Sequence, residues 1–284
     1  MKFLKNSFFA TLLVCNTLSA YDVYMSAGLH DFVVQDIQDD GGLGGIPSGD
    51  SHTFGINFGI WAEHTTPSSI HILAKAEMFL DRDKDKLDPD HYPIWFDFLV
   101  DVDGDAYRFN DIHSLKWYIY MDNKQNTVSC IEREVRQQIG LGYRYEKEGV
   151  FALALNAYAG FYYIEIDDDT PSMRGYDRQE LDDGEAANTL EVEGRYALTK
   201  ALEVYVRARR YSANAGFEEL ENNYELQLHY RPQKSSFLAE GTALHVKLKY
   251  TKYNFDRFHR HELTVLPWDN DTLLQAYMTI PLDL

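Results

Sequence analysis

Three carboxylates spaced by two, in Asp101-Val102-Asp103-Gly104-Asp105, form the first segment of this 284-residue chain whose residue types suit a chemical task. Oxygen donors at that spacing suit a hard cation such as calcium, and Asp81-Arg82-Asp83-Lys84-Asp85 repeats the pattern. Neither segment has the glycine at the sixth position or the bidentate acid at the twelfth that an EF-hand loop requires, so acidic, solvated loops are the expectation. His259, His261 and Glu262 are zinc-ligand types, but three of them in one stretch are a weak signal, and no metal is assigned.

Catalysis needs a nucleophile, a base and an orienting group brought together. His113-Ser114 and Ser51-His52 set a histidine beside a serine, and Asp182-Asp183 pairs two acids, yet acids are so frequent in the polar stretches that coincidence accounts for them. No glycine-rich phosphate loop, Cys-x-x-Cys pair or basic nucleic-acid patch occurs. The expectation is no enzyme, no catalytic residue and no cofactor.

What remains is a set of charged residues recurring at period two: Arg195, Arg207, Arg209, Arg231, Lys247 and Lys249, interleaved with Glu191, Glu193, Glu203 and Glu225. Arginine forks match the oxygens of carboxylates or phosphates, so a band of such residues on one surface makes a track for anionic solutes. Paired with the glutamates on the same strands, they make a neutralised network instead.

The elements that position them read as β-strands. In 53–63, Phe54, Ile56, Phe58 and Ile60 alternate with Thr53, Gly55, Asn57 and Gly59. At 274–284, Leu274, Ala276, Met278, Ile280, Leu282 and Leu284 alternate with Gln275, Tyr277, Thr279, Pro281 and Asp283. A period of two gives each strand two faces of different character. Ten further segments behave alike, near 22–34, 70–80, 94–102, 113–122, 139–145, 151–163, 190–198, 202–208, 224–230 and 244–250. Long polar connections, such as 35–51 with four acids and 165–187 with nine, alternate with short ones. Residues 103–113 and 233–242 are long for short-side turns, which leaves ten or fourteen strands open beside twelve.

At the amino end, Lys2 and Lys5 precede the apolar run Phe8 to Val14 and then Leu18-Ser19-Ala20, the pattern of a secretory signal peptide cleaved after Ala20. Removing residues 1–20 takes two lysines and Cys15 and leaves 25 bases against 45 acids, a charge of −20. Cys130 is then the only thiol, so no intramolecular disulfide can form. No stretch approaches the roughly 20 apolar residues of a spanning helix.

Signal peptide, alternation, loop rhythm and strand-terminated end together resemble the Gram-negative outer-membrane β-barrel class over residues 21–284, although the closing strand of that class usually ends in an aromatic residue and this one ends in Leu284. The resemblance implies an all-β, transmembrane, antiparallel up-and-down barrel in the cell outer membrane, surrounded by lipid and lipopolysaccharide and inserted by the outer-membrane assembly machinery. The phospholipase setting known in that class, Tyr-x-Gln-x-Thr-His-x-Ser-Asn-Gly, is absent. A soluble β-sandwich alternates similarly and is the competing fold.

In a barrel, parity sends the apolar set to lipid and the other set inward. Ten bases, including Lys75, Lys116, Arg136 and Arg144, then face seven acids, an expected wall that is slightly basic. Twelve strands give a backbone diameter on the order of 24 Å and leave about 10 Å between side chains. The functional expectation is a narrow passive channel for small hydrophilic, including anionic, solutes, lined by Arg195, Arg207, Arg209, Arg231, Lys247, Lys249, Glu193 and Glu203. The alternative is a closed barrel serving binding, adhesion or structure through acidic loops.

Overall fold

The computed structural model describes residues 21–36, 51–82, 94–126, 131–166, 182–216, 218–232, 238–254 and 268–282. Twelve strands occupy almost all of them: β1 (Asp22–Asp36), β2 (Ser51–Thr65), β3 (His71–Asp81), β4 (Ile94–Asn110), β5 (His113–Asn126) and β6 (Ile131–Lys147). The second half comprises β7 (Phe151–Ile166), β8 (Asp182–Ala197), β9 (Leu202–Ala213), β10 (Glu218–Tyr230), β11 (Ala243–Tyr253) and β12 (Trp268–Leu282). Each pairs antiparallel with its sequence neighbours, and β1 pairs with β12 from Val23↔Leu282 to Asp36↔Trp268, closing the barrel. Closure removes every sheet edge, which strands surrounded by lipid require.

Burial alternates along the strands in the sense opposite to a soluble protein. On β12, Gln275, Tyr277 and Thr279 are buried while Leu274, Ala276 and Met278 face out. Thirty-three large apolar side chains are exposed among the described residues, Ile139 at 67% and Leu190 at 66% being the extremes. Arg136, Glu221, Gln275 and Asn57, in contrast, are within 1% of full burial. So large an exposed apolar belt is stable only against hydrocarbon, and a polar interior is the signature of a transmembrane barrel rather than of a sandwich.

At one end four connections are tight, 66–70, 111–112, 148–150 and 198–201, while the fifth, 231–242 between β10 and β11, is longer. Thr66 Oγ1 accepts from Ile70 N at 3.0 Å while Ser69 adopts φ 61°, and Gly149, at φ 68°, lets the chain reverse between β6 and β7. The 103–113 segment is not a long turn: β4 continues to Asn110 and only Asp111 and Ile112 separate it from β5. Register shifts at Asp105/Tyr107 and Arg108/Asn110 break the alternation that marks a strand in sequence. Asp101, Asp103 and Asp105 therefore belong to a strand and not to a solvated loop. Likewise β8 starts at Asp182, inside the expected polar stretch. Residues 1–20, 283–284 and the His259–Glu262 group lie outside the described residues.

Candidate functional site

The lumen has two storeys. Toward the end bearing the long connections, side chains of opposite walls meet. Arg136 on β6 donates to both carboxylate oxygens of Glu221 on β10, at 2.7 and 2.6 Å, to Glu134 at 2.7 Å and to Asp122 at 3.1 Å. Tyr162 on β7 donates to Glu221 at 2.8 Å, and Tyr253 on β11 crosses to Glu134 at 2.5 Å. The guanidinium lies over the rings of Tyr162 and Tyr211, with its carbon 5.6 and 5.2 Å from their centroids. Lys124 on β5 reaches Asp271 on β12 at 3.4 Å and lies over the rings of Phe32 and Trp95.

A second cluster abuts this layer. The Asp81 carboxylate is hydrogen-bonded to His30 Nε2 at 2.7 Å and accepts from Trp95 Nε1 at 2.7 Å and Thr53 at 2.9 Å, and Trp95 stacks on Phe79 at 3.6 Å. All these side chains are nearly or fully buried. Buried charges persist only when paired and hydrogen-bonded, a condition this layer meets by joining strands far apart in sequence.

Toward the turn end the lumen opens into a cavity of about 550 Å³. All eight residues singled out from the sequence, Arg195, Arg207, Arg209, Arg231, Lys247, Lys249, Glu193 and Glu203, line it. They do not form an open basic track. Arg207 is paired with Glu225 at 2.7 Å, and Arg209 donates to Glu191 at 2.5 Å while its guanidinium lies over Tyr120. Arg195 lies over the ring of Tyr205, which donates to Glu193 at 3.3 Å. Arg195, Arg231, Lys247 and Lys249 have no carboxylate within 4.0 Å among the described residues.

The expected basic wall is a correction. Eight Lys and Arg side chains line the cavity against ten Asp and Glu side chains. Glu63, Asp103 and Asp122 add to the seven inward acids read from sequence, whereas Lys116 and Arg136 fall outside the cavity lining. Asp103 accepts from Lys116 and lies 3.2 Å from His71, and Asp105 binds Arg108 at 2.6 Å, so two carboxylates of the calcium-like spacing are already engaged by basic side chains. Asp83 and Asp85 lie outside the described residues. No group of three or more metal-ligating side chains occurs among the described residues.

Asp122, Glu134, Glu221 and Asp271 escape the sequence reading because the strands are longer than their apolar alternation. Carrying the parity of Tyr118 and Tyr120 two residues further would put Asp122 inside. The clean alternation of β12 from Leu273 backward would have done the same for Asp271. Ring packing shapes the turn-end half as well: Tyr277 stacks on His245 at 4.7 Å, and the position across from it on β1 is Gly28, where a Cβ would lie 2.4 Å from Tyr277 Cβ.

No family model and no curated protein matches the sequence. Among solved structures, the chain is similar to an outer membrane channel from Pseudomonas putida F1, at 10% identity and a TM-score of 0.51, over 93% of this chain and 96% of that one. It is also similar to the translocator domain of the autotransporter NalP from Neisseria meningitidis (8% identity, TM-score 0.46, 98% and 95% covered). The KdgM porin in complex with disordered oligogalacturonate is a further likeness (9%, 0.44, 90% and 97%). At these identities the likeness is one of fold alone: a closed antiparallel barrel, which in this chain has twelve strands.

Proposed function

We propose that the mature chain, after loss of residues 1–20, resides in the cell outer membrane as a passive channel for small hydrophilic solutes. The observation that carries this reading is the charged, solvent-sized cavity of about 550 Å³ enclosed by a lipid-facing barrel. Lipid and lipopolysaccharide surround it, the outer-membrane assembly machinery inserts it, and passage involves no catalytic step. On the basic side of the cavity, Arg195, Arg231, Lys247 and Lys249 support attraction of an anionic group. The Arg136 layer is the constriction that a solute must pass.

Planar-bilayer recording tests this. The expected result is a small or intermittent conductance for the native barrel and a larger one for Arg136→Ala. A folded Arg136→Ala barrel that stays silent in the bilayer would remove the channel reading. That outcome would favour the second reading, a closed barrel acting through its loops, which the cross-lumen layer itself motivates.

A further inference from the structure

The charges around the cavity are sorted by side. On β2 to β5 the lining carries Glu63, Glu77, Asp97, Asp101, Asp103 and Asp122 against one base, Lys75. On β6 to β11 it carries seven bases, Arg144, Arg195, Arg207, Arg209, Arg231, Lys247 and Lys249, against four acids, Glu191, Glu193, Glu203 and Glu225. The formal balance is thus one minus six, −5, on one side and seven minus four, +3, on the other.

Internal pairing leaves this polarity standing. On the acidic side Glu77 is held by Lys75 at 2.6 Å, Asp103 by Lys116 and Asp122 by Arg136. Glu63, Asp97 and Asp101 have no basic group within 4.0 Å among the described residues. On the basic side Arg207, Arg209 and Arg144 are held by Glu225, Glu191 and Glu146, which leaves four bases, Arg195, Arg231, Lys247 and Lys249, beside two acids, Glu193 and Glu203. Neither Lys249 nor Lys247 closes to an ion pair with Asp97. The barrel therefore presents carboxyl groups on one side and basic groups on the other that close no ion pair with each other and face one cavity.

A simple anion would meet Lys247 and Lys249 but also the facing carboxylates, and a simple cation the reverse. A solute with an ammonium at one end and a carboxylate at the other satisfies both sides at once. We propose that the cavity selects small zwitterions, with free amino acids and short peptides as the chemical class. Their carboxylate is received by Lys247 and Lys249, and their ammonium by Asp97 and Asp101. This deepens the solute-channel reading and names the solute for the same lumen, but binding can be measured whether or not the layer above opens.

The test is a ligand-observed NMR titration of the folded full-length mature barrel with four probes of similar size. They are L-alanyl-L-alanine (zwitterion), N-acetyl-L-alanine (anion), L-alanyl-L-alaninamide (cation) and N-acetyl-L-alaninamide (neutral). The expected result is dialanine binding about fivefold or more tighter than each of the other three, the scale of one partly screened ion pair. That preference should vanish in Asp97→Asn/Asp101→Asn and in Lys247→Gln/Lys249→Gln, each checked for folding by heat-modifiable gel migration. Equal binding of N-acetyl-L-alanine and dialanine to the native barrel would overturn the proposal in favour of a plain anion site. Binding of none of the probes would overturn it too, while the Arg136→Ala conductance reports separately on the channel reading. The native comparison needs no variant, so a misfolded variant does not spare the proposal.

Discussion

Arg136 and Glu221 stand 85 positions apart in sequence and meet through two hydrogen bonds of 2.7 and 2.6 Å across the lumen. One guanidinium thus links two walls that share no strand pairing, and Lys124 with Asp271 ties β5 to β12 beside it.

Removing Glu221 takes from the buried Arg136 its two-oxygen partner and leaves it only Glu134 and Asp122. Glu221→Gln should destabilise the barrel by ~3–5 kcal/mol, the usual scale for breaking a buried pair. Urea unfolding in lipid vesicles measures it. The double change Arg136→Met/Glu221→Leu should recover most of that loss, because the desolvation cost of both charges disappears. A double variant as unstable as the sum of the singles would show that Asp122 and Glu134, not Glu221, dominate the layer.

The Asp81 site makes a second case. Asp81→Leu strands the donors of His30, Trp95 and Thr53. A loss of ~3 kcal/mol or more is expected at ~1–3 kcal/mol for each orphaned group. Trp95 fluorescence should move with it, since its indole loses the 2.7 Å bond. An unchanged emission maximum and unfolding midpoint would deny this cluster a structural role.

Lipid contact is tested at Ile139, near the middle of β6 and 67% exposed. Ile139→Arg should cost ~2–4 kcal/mol if the side chain sits at the bilayer midplane. Folding into vesicles would fall accordingly. Full folding yield and native stability in the variant would contradict a lipid-facing β6.

The processing expectation is direct to examine. Protein purified from outer-membrane fractions should begin at Tyr21, and intact-mass spectrometry reads that. A chain retaining Met1, or one recovered from the soluble periplasm, would overturn the targeting reading.

Period-two alternation carries far because a lipid face admits few polar side chains, Gln137 on β6 being one of them. Leu274, Ala276 and Met278 fix the parity of β12, and the same alternation on β8, β9 and β11 puts Glu193, Arg195, Glu203, Arg207, Arg209, Lys247 and Lys249 on the cavity wall, with Arg231 just past the end of β10. Near the strand ends the constraint lapses. Asp182 and Asp183 open β8 with two adjacent acids and no apolar alternation, and the bulges beside Asp105 and Arg108 disguise β4 as a loop. Cross-lumen pairs leave no local trace at all. Nothing in the neighbourhood of Arg136 points to Glu221, because the contact is set by barrel diameter and side-chain length and not by pairing register.

The Lys124 contact with Asp271 bears on the order of assembly. Its acceptor lies on β12, the last strand in the sequence, 147 residues after its donor. Until β12 docks against β1 and β11, a growing sheet carries Lys124 and Glu134 without this member of their cluster and exposes charge that only the closed ring can neutralise. Joining the seam is therefore coupled to completing the electrostatics of the interior. An intermediate lacking its final strand should be destabilised from within as well as at its open edge, so commitment to the membrane should come late and in one concerted step.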